Sequence, residues 1–417
     1  MTAEPQEAVV LDTGQRLLHV GPFKTGSTTL QAAFHQNRPA LQAQGVHYAG
    51  RNPQPLTAAT FAATGQAAST MSPERARGSW DRLVAEVDGT AADRVMISSE
   101  FFSEADDAHA AAIMDRLDRR RTHVVLTLRP LSRILASQWQ QFVQNRIRIS
   151  YHEWLREVLC DPGMCALTPT FWTRHRHDEL VVRWAEAAGP DRVTVVVLDD
   201  SDRRMLLSTF ERMLGLTSGT LRPPDLAANR SLTFPEVEFV RAFNAAYDAE
   251  GWSEKDYFHF VRFGAVRHLQ GRVPSADEPR ILTPHWAVEA CLAIQEVMVG
   301  AIAASGVRVV GDLGSLRAGP REDAVGDNRP VADLPADIPA RFTAGLVALL
   351  LEVPAGFEGN GRPLGPLEAG LRARREEEVL LRTLRRQAPK QVAHDLSERE
   401  LVRVLWQRVR EPRGSRG

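Results

Sequence analysis

The sequence predicts an α/β fold, in which a parallel sheet is flanked by helices and followed by a mainly helical C-terminal extension. Short apolar segments alternate along the chain with longer segments of helical periodicity. These apolar segments lack the polar alternation of a one-sided strand, which indicates burial on both faces and therefore parallel pairing. In addition, a loop containing two glycines directly joins the first of these strands to its helix.

Composition sets the outer limits. The chain has 417 residues, of which 43% are hydrophobic and 25% are charged, as in a globular protein with a sizeable core. Its formal net charge of −1 gives no reason to expect a nucleic-acid partner. The polar, acidic N-terminus lacks the features of a signal peptide, and no apolar stretch is predicted to span a membrane. Because the three cysteines fit neither a disulfide framework nor a metal site, we expect a reducing, cytoplasmic location.

Several apolar segments are predicted to be strands, and helices are predicted between them. The strands are the run that ends at Gly21 and residues 46–48, 94–99, 123–128 and 192–198. The helices include residues 80–87, 105–121, about 132–143 and 177–188. In parallel sheets, ligands bind at the carboxyl ends of the strands. Residues 21–29, residues 98–100 and Arg129 all follow such ends, so we expect them to share one site.

The predicted domain organisation has four parts. Residues 1–14 are expected to form a flexible tail, and residues 15–310 the α/β domain. Residues 311–340, rich in Gly, Pro and Asp, are expected to form a linker. Residues 341–417 are expected to be helical, with helices at 341–353, 366–387 and 397–410.

The central motif is the loop between the first strand and its helix, with glycines at positions 21 and 26. Backbone N–H groups and the helix dipole at such a junction bind phosphate, so the sheet is of the P-loop type. In nucleotide triphosphatases a lysine directly follows the second glycine. Here Ser27 has that position, and Lys24 lies before Gly26. Only three of the 51 basic residues are lysines, which indicates that a compact point charge is needed at Lys24.

This loop carries a family resemblance. The run Lys24-Thr25-Gly26-Ser27-Thr28-Thr29 resembles the 5′-phosphosulfate-binding loop of sulfotransferases that use 3′-phosphoadenosine-5′-phosphosulfate (PAPS). The segment from His19 to Gln31 is similar to the bacterial branch of that family. The resemblance implies that these six loop residues bind the donor. It extends over about residues 1–310 with decreasing strength and does not reach the C-terminal region.

A second anion site is predicted after the strand at 123–128. Arg129 leaves the strand end, and Arg133 and Ser137, four residues apart, should share one face of the next helix. Guanidinium and hydroxyl groups together can bind an anion. An arginine followed eight residues later by a serine resembles the 3′-phosphate motif of the family, which implies that Arg129 and Ser137 are ligands. The alternative is a strand-end cap at Arg129 and an ordinary helix surface residue at Ser137.

The candidate general base is Glu100, which follows the strand ending in Ile97-Ser98-Ser99. A carboxylate near the bound donor can accept the proton of an acceptor hydroxyl. The resemblance implies that the base lies in this region. In the alternative interpretations Glu100 only pairs with a cation, Lys24 or Arg129, or a histidine is the base. His47 is then the stronger rival, because His19 lies within a strand and is expected to pack in the core.

Two further segments allow two interpretations each. Residues 52–74, uncharged until Glu74, form either a loop that covers a site or a surface helix. Residues 251–272 mix aromatic and basic side chains, including Arg262, which suits either an acceptor pocket or a packed pair of helices.

Together with the resemblance, these features predict a PAPS-dependent sulfotransferase with Lys24 and Glu100 as catalytic residues. It would transfer a sulfuryl group to a hydroxyl, or secondarily an amine, of a small molecule or glycan, release 3′-phosphoadenosine-5′-phosphate (PAP) and need no metal. A nucleotide-dependent kinase and a non-catalytic nucleotide-binding protein are the alternatives. The kinase would need a lysine after Gly26 and a magnesium-binding Asp at a strand end. The acceptor and the oligomeric state are left open, because acceptor pockets are built from variable loops.

Overall fold

The computed structural model describes residues 7–67, 71–160, 167–223 and 230–350. In these residues six parallel strands form one sheet with the order β2-β3-β1-β4-β5-β6. The strands are β1 (Arg16–His19), β2 (Val46–Tyr48), β3 (Arg94–Ser98), β4 (Thr122–Leu128), β5 (Val193–Val197) and β6 (Arg308–Val310). The predicted α/β class is therefore confirmed.

Fifteen α-helices are found in the described part of the chain. They are α1 (Ser27–Gln36), α2 (Arg38–Gln42), α3 (Leu56–Thr64), α4 (Pro73–Gly89), α5 (Asp107–Arg116), α6 (Leu135–Gln144), α7 (Tyr151–Cys160), α8 (Thr170–His175), α9 (His177–Ala188), α10 (Met205–Met213), α11 (Phe234–Ala249), α12 (Glu254–Asp256), α13 (Val266–Gln270), α14 (His285–Ala304) and α15 (Asp337–Leu350). A π-helix (Tyr257–Ala265) joins α12 to α13.

The sheet is covered on both faces, which explains why its strands carry apolar side chains at successive positions. On one face, Leu18 and Ile97 belong to a core cluster with residues of α4, α5 and α9. On the other face, Leu17 and Met96 pack in a cluster with residues of α1 and α10. The carboxyl ends of the central strands thus lead directly into the loops before α1 and after β3 and β4.

The predicted domain limits need correction. Residues 7–14 are not loose: Leu11 is buried, and its N–H donates to the carbonyl of Met213 at 2.8 Å. The predicted linker also belongs to the domain, because Leu313 and Leu316 are buried in the core and the compact unit extends to Gly345. Helix α15 begins at Asp337, four residues before its predicted start. The predicted helices 366–387 and 397–410 lie outside the described residues.

Helix α14 is long and apolar enough to cross a membrane by length and composition alone. Core helices of globular proteins pass the same test. In this domain Met298, Val299 and Ile302 of α14 are buried, and the last two belong to the core cluster that includes residues of α9.

Candidate functional site

The loop between β1 and α1 has the backbone geometry of an anion site. Gly21, Lys24 and Gly26 all have positive φ values, of 85°, 67° and 89°. A lysine in this conformation is uncommon and points to a functional constraint. The first amide of α1 with a backbone acceptor is that of Leu30, which donates to Gly26 O at 3.1 Å. In the described structure the N–H groups of residues 27–29 have no acceptor, so they can bind an anion.

Gly21 brings the loop against the end of β3. A Cβ atom at position 21 would lie 2.9 Å from both Cα and Cβ of Glu100, closer than such atoms approach. Only glycine therefore fits at this contact without a shift of the backbone. The approach explains why two segments far apart in sequence, the loop and Glu100, lie side by side.

The ammonium group of Lys24 makes no hydrogen bond and no ion pair with the described residues. Burial and the positive charges of Arg262 and Arg174 together lower the pKa of Lys24 to about 8. The negative charge of Glu100 raises this pKa, but only in part. The lysine is therefore a cation in a predominantly positive environment, where a bound anion would stabilise its charge.

The hydroxyl groups of the loop differ in their availability. Thr25 is buried, and its hydroxyl donates to Pro22 O at 2.6 Å and lies 2.8 Å from the hydroxyl of Thr127. To bind the donor, this hydroxyl would have to give up its bond to Pro22 O, whereas the amide of Thr25 stays a candidate. Ser27 makes only a long hydrogen bond to Pro22 O, of 3.4 Å. Thr28, exposed, and Thr29, half-buried, have side chains without hydrogen bonds to described residues.

Glu100 is held by amide groups. Gln31 Nε2 donates to one carboxylate oxygen at 2.7 Å, and Gln54 Nε2 lies 3.5 Å from the other. Gln54 also accepts a hydrogen bond from Ser99 Oγ at 3.0 Å. Within the described residues Glu100 forms no ion pair with Lys24, so the structural ion-pair alternative does not describe this site. Gln54 belongs to the segment of residues 52–74, for which the sequence allowed either a loop over the site or a surface helix. This segment contains helix α3 and also contacts the site through Gln54.

The two rival bases are placed differently. His19 is fully buried, with Nδ1 at 2.8 Å from Ser98 Oγ and Nε2 at 3.1 Å from Thr127 Oγ1. Burial lowers the pKa of His19 to about 3, so it is neutral and inaccessible to an acceptor. His47 lies in the edge strand β2, and its Nε2 is 2.8 Å from Glu86 of α4.

The predicted 3′-phosphate site contains an internal carboxylate. Arg129 Nη2 donates to Asp200 Oδ2 at 2.8 Å, and Arg133 Nη1 donates to the same oxygen at 2.9 Å. Burial by itself raises the pKa of Asp200, but hydrogen bonds and charges of the two arginines outweigh it and keep the pKa below its usual value. Asp200 is thus an ionised partner of both arginines. Sequence interpretation missed it, because no local signal connects it to them.

Ser137 does not join this group. Residues Leu131–Arg133 form a 3₁₀ turn and α6 begins only at Leu135, so the prediction that Arg133 and Ser137 share one helix face is wrong. The turn directs Arg133 to Asp200, whereas the hydroxyl of Ser137 donates to Ile134 O at 2.9 Å. A ligand would have to compete with this bond.

Two more arginines contribute to the charge around Lys24. Arg174 of α8 lies over the ring of Phe23 at 4.0 Å and is neutralised by two hydrogen bonds to Glu104, of 3.0 and 2.6 Å. Arg262 lies on the π-helix and donates to Asn145 Oδ1 at 3.2 Å, but it has no ion pair with a described residue. The mixed aromatic and basic composition of residues 251–272 was the only signal for Arg262.

Other features of the described residues are separate from this site. The described residues contain no group of three or more His, Cys, Asp or Glu side chains placed to hold a metal ion. A cavity of about 690 Å³ lies at the start of α11, beside residues 272–282 and 327–337. None of the residues predicted to bind the donor lines it.

Comparison with known proteins found little similarity. No family model and no curated protein matches the chain. Among solved structures, it is similar to the crystal structure of a sulfotransferase from Alicyclobacillus acidocaldarius, with 17% identity and a TM-score of 0.37. The match covers 58% of this chain and 98% of the other. A similarity at this level carries no weight for function, which has to be inferred from the residues of the site.

Proposed function

We propose that the chain is a sulfotransferase that transfers a sulfuryl group from PAPS to a hydroxyl group of a small molecule or glycan. The observation that carries this proposal is the pairing of an anion site with a carboxylate. Lys24, without an ion pair, lies in the loop before the free N–H groups of α1. Glu100 lies across Gly21, at the contact that only glycine permits.

In this proposal the donor occupies two anion sites. The N–H groups of residues 27–29 and the hydroxyls of Ser27, Thr28 and Thr29 bind the 5′-phosphosulfate, beside the ammonium of Lys24. Arg129 binds the 3′-phosphate, and Arg133 and Ser137, which follow it in the sequence, are further candidate ligands. Charge-assisted hydrogen bonds from guanidinium and backbone N–H groups suit phosphate oxygens.

The chemistry requires little beyond positioning and charge stabilisation. The acceptor oxygen attacks the sulfur atom, forming a new S–O bond as the bond between sulfur and the 5′-phosphate oxygen breaks. Lys24 stabilises the negative charge that develops on this departing oxygen, which leaves as part of PAP. Glu100 accepts the proton that the acceptor hydroxyl loses.

The charges favour a hydroxyl acceptor over an amine. Lys24, Arg174 and Arg262 contribute positive charge around the loop, and Arg174 is the one that Glu104 neutralises. A protonated amine would be repelled by the remaining cations, whereas a neutral hydroxyl would not.

The choice of nucleotide tests the proposal. PAP should raise the melting temperature of the protein much more than AMP, ADP or ATP with Mg²⁺, because only PAP carries phosphates for both anion sites. Thermal unfolding with each nucleotide at equal concentration measures this. Equal or greater stabilisation by ATP with Mg²⁺ would favour the kinase.

Labelled PAPS incubated with the protein and a cell extract then distinguishes transfer from binding without catalysis, since a non-catalytic protein yields no labelled product.

The two anion sites should be separable by mutation. Arg129→Ala should weaken PAP binding by about 2 kcal/mol, roughly 30-fold, at the low end for a charge-assisted contact because 35% of the side chain is exposed. AMP, which lacks the 3′-phosphate, should bind as before. Calorimetric titration measures both affinities. Arg119→Ala, which removes an exposed arginine paired with Asp115, is the control. An equal loss of AMP affinity would contradict the assignment of Arg129.

A further inference from the structure

One carboxylate oxygen serves two arginines at the proposed 3′-phosphate site. Asp200 Oδ2 accepts hydrogen bonds from Arg129 Nη2 at 2.8 Å and from Arg133 Nη1 at 2.9 Å. Asp200 follows the last residue of β5, Val197, which pairs with Leu128 at the end of β4. Its position at the shared strand edge thus places a negative charge where the ligand phosphate is proposed to bind.

The hydrogen bonding of Arg129 is incomplete in this arrangement. Its Nε atom is buried and has no hydrogen-bond partner among the described residues, while Nη2 bonds to Asp200. These two N–H groups form one edge of the guanidinium, which can bind a carboxylate or phosphate through two parallel hydrogen bonds. Asp200 uses one half of this edge, so Arg129 keeps a buried donor for another acceptor.

Only one of the two carboxylate oxygens of Asp200 is hydrogen-bonded to described residues. Its Oδ1 atom makes no hydrogen bond with the described residues, and 42% of the side chain is exposed. The turn in which it lies is stabilised by its neighbours: Asp199 Oδ1 accepts from Ser201 N at 2.8 Å, and Asp202 Oδ1 accepts from Arg204 N at 2.9 Å. The side chain of Asp200 can therefore leave the arginines while these bonds of the turn persist.

We infer that Asp200 competes with the nucleotide: its carboxylate binds Arg129 and Arg133 in the free protein and is displaced by the 3′-phosphate. The inference rests on the proposed function, since it requires a ligand with a 3′-phosphate. A phosphate monoester offers three acceptor oxygens and up to two negative charges, enough for both N–H groups of the Arg129 edge and for Arg133. A nucleotide without this phosphate leaves Asp200 in place. Asp200 thus weakens the binding of PAP but not that of AMP.

Calorimetric titration of the full chain with PAP and with AMP tests this role. Asp200→Asn keeps the shape of the side chain but removes the competing charge. It should bind PAP about tenfold more tightly than the unmodified protein, with AMP affinity unchanged within about twofold. Asp200→Ala should change in the same direction. Asp199→Asn is the matched control, because it removes the same charge from the same turn without a hydrogen bond to either arginine.

Each outcome decides the inference. An unchanged or lower PAP affinity in Asp200→Asn overturns it, and a fall would mean that Asp200 holds Arg129 in place for the ligand. Equal tightening in Asp199→Asn also overturns it, since the effect would then be one of overall charge. If neither Asp200 variant shows cooperative unfolding, Asp200 is needed for folding, and the inference is overturned. If the unmodified protein does not prefer PAP to AMP, the proposed function itself fails.

Discussion

Replacing Glu100 by glutamine should lower the turnover of sulfuryl transfer by about 10²–10⁴, the usual contribution of a general base, and leave PAP affinity unchanged. Glutamine has nearly the same shape but cannot accept the proton of the acceptor hydroxyl. Its side-chain oxygen can still accept the hydrogen bond that Gln31 now donates at 2.7 Å. The amide surroundings of the residue should therefore persist, so the loss reports on proton transfer.

Turnover at saturating PAPS, with an acceptor found by labelled transfer, measures this effect. The control is His47→Gln, which removes the rival base and breaks its 2.8 Å contact with Glu86 without touching the loop. It should retain nearly full turnover. A Glu100→Gln enzyme with most of its activity, together with an inactive His47→Gln enzyme, would transfer the role of base to His47. If the Glu100→Gln protein does not fold, Glu100 is needed for the stability of the fold instead.

The central sheet could be predicted because its strands are buried on both faces. The segments 94–99 and 123–128 differ by one residue from β3 (Arg94–Ser98) and β4 (Thr122–Leu128). Their continuous apolar character follows from packing against helices on each side. Helix ends were harder, because they depend on single residues. Helix α5 ends at Arg116 and not at residue 121, and Asp118 after it has a φ of 57°.

Domain limits could not be predicted from composition. The predicted tail and linker contain polar residues and breakers, but isolated apolar side chains such as Leu11, Leu313 and Leu316 anchor them to the core. Burial of a single leucine depends on partners far away in sequence, such as Met213, whose carbonyl binds the amide of Leu11. Local composition contains no information about such partners.

The same distinction applies to the candidate site. The convergence of the loop, Glu100 and Arg129 was predictable, because parallel strands bring their carboxyl ends to one edge. The groups that bind these residues were not predictable. Gln54 and Asp200 reach the site from segments without a motif. The orientation of the Thr25 hydroxyl depends on the path of the loop backbone, which reverses through positive φ values at Lys24 and Gly26.

Replacing Lys24 by methionine should lower turnover at saturating PAPS by about 10²–10³, the loss typical for one donor to a developing negative charge. Methionine keeps the apolar stem but not the ammonium group. Affinity for PAP should fall less than turnover, because the departing phosphate oxygen gains its full charge only as the S–O bond breaks. Lys255→Met, at an exposed lysine, is the control. Unchanged turnover in the Lys24 variant, with PAP affinity lost, would contradict this role.

The lowered pKa of Lys24 adds a dependence on pH. In the free protein burial and the positive charges of Arg262 and Arg174 lower this pKa to about 8, with Glu100 opposing them. A bound phosphate stabilises the charged form and raises the pKa, so binding and protonation favour each other. PAP affinity should therefore be highest below pH 8 and fall as the pH rises through about 8, as calorimetric titration can measure. The Lys24→Met protein should lack this decrease. If the decrease persists in the variant, another group is responsible, and Lys24 does not bind the phosphate as a cation.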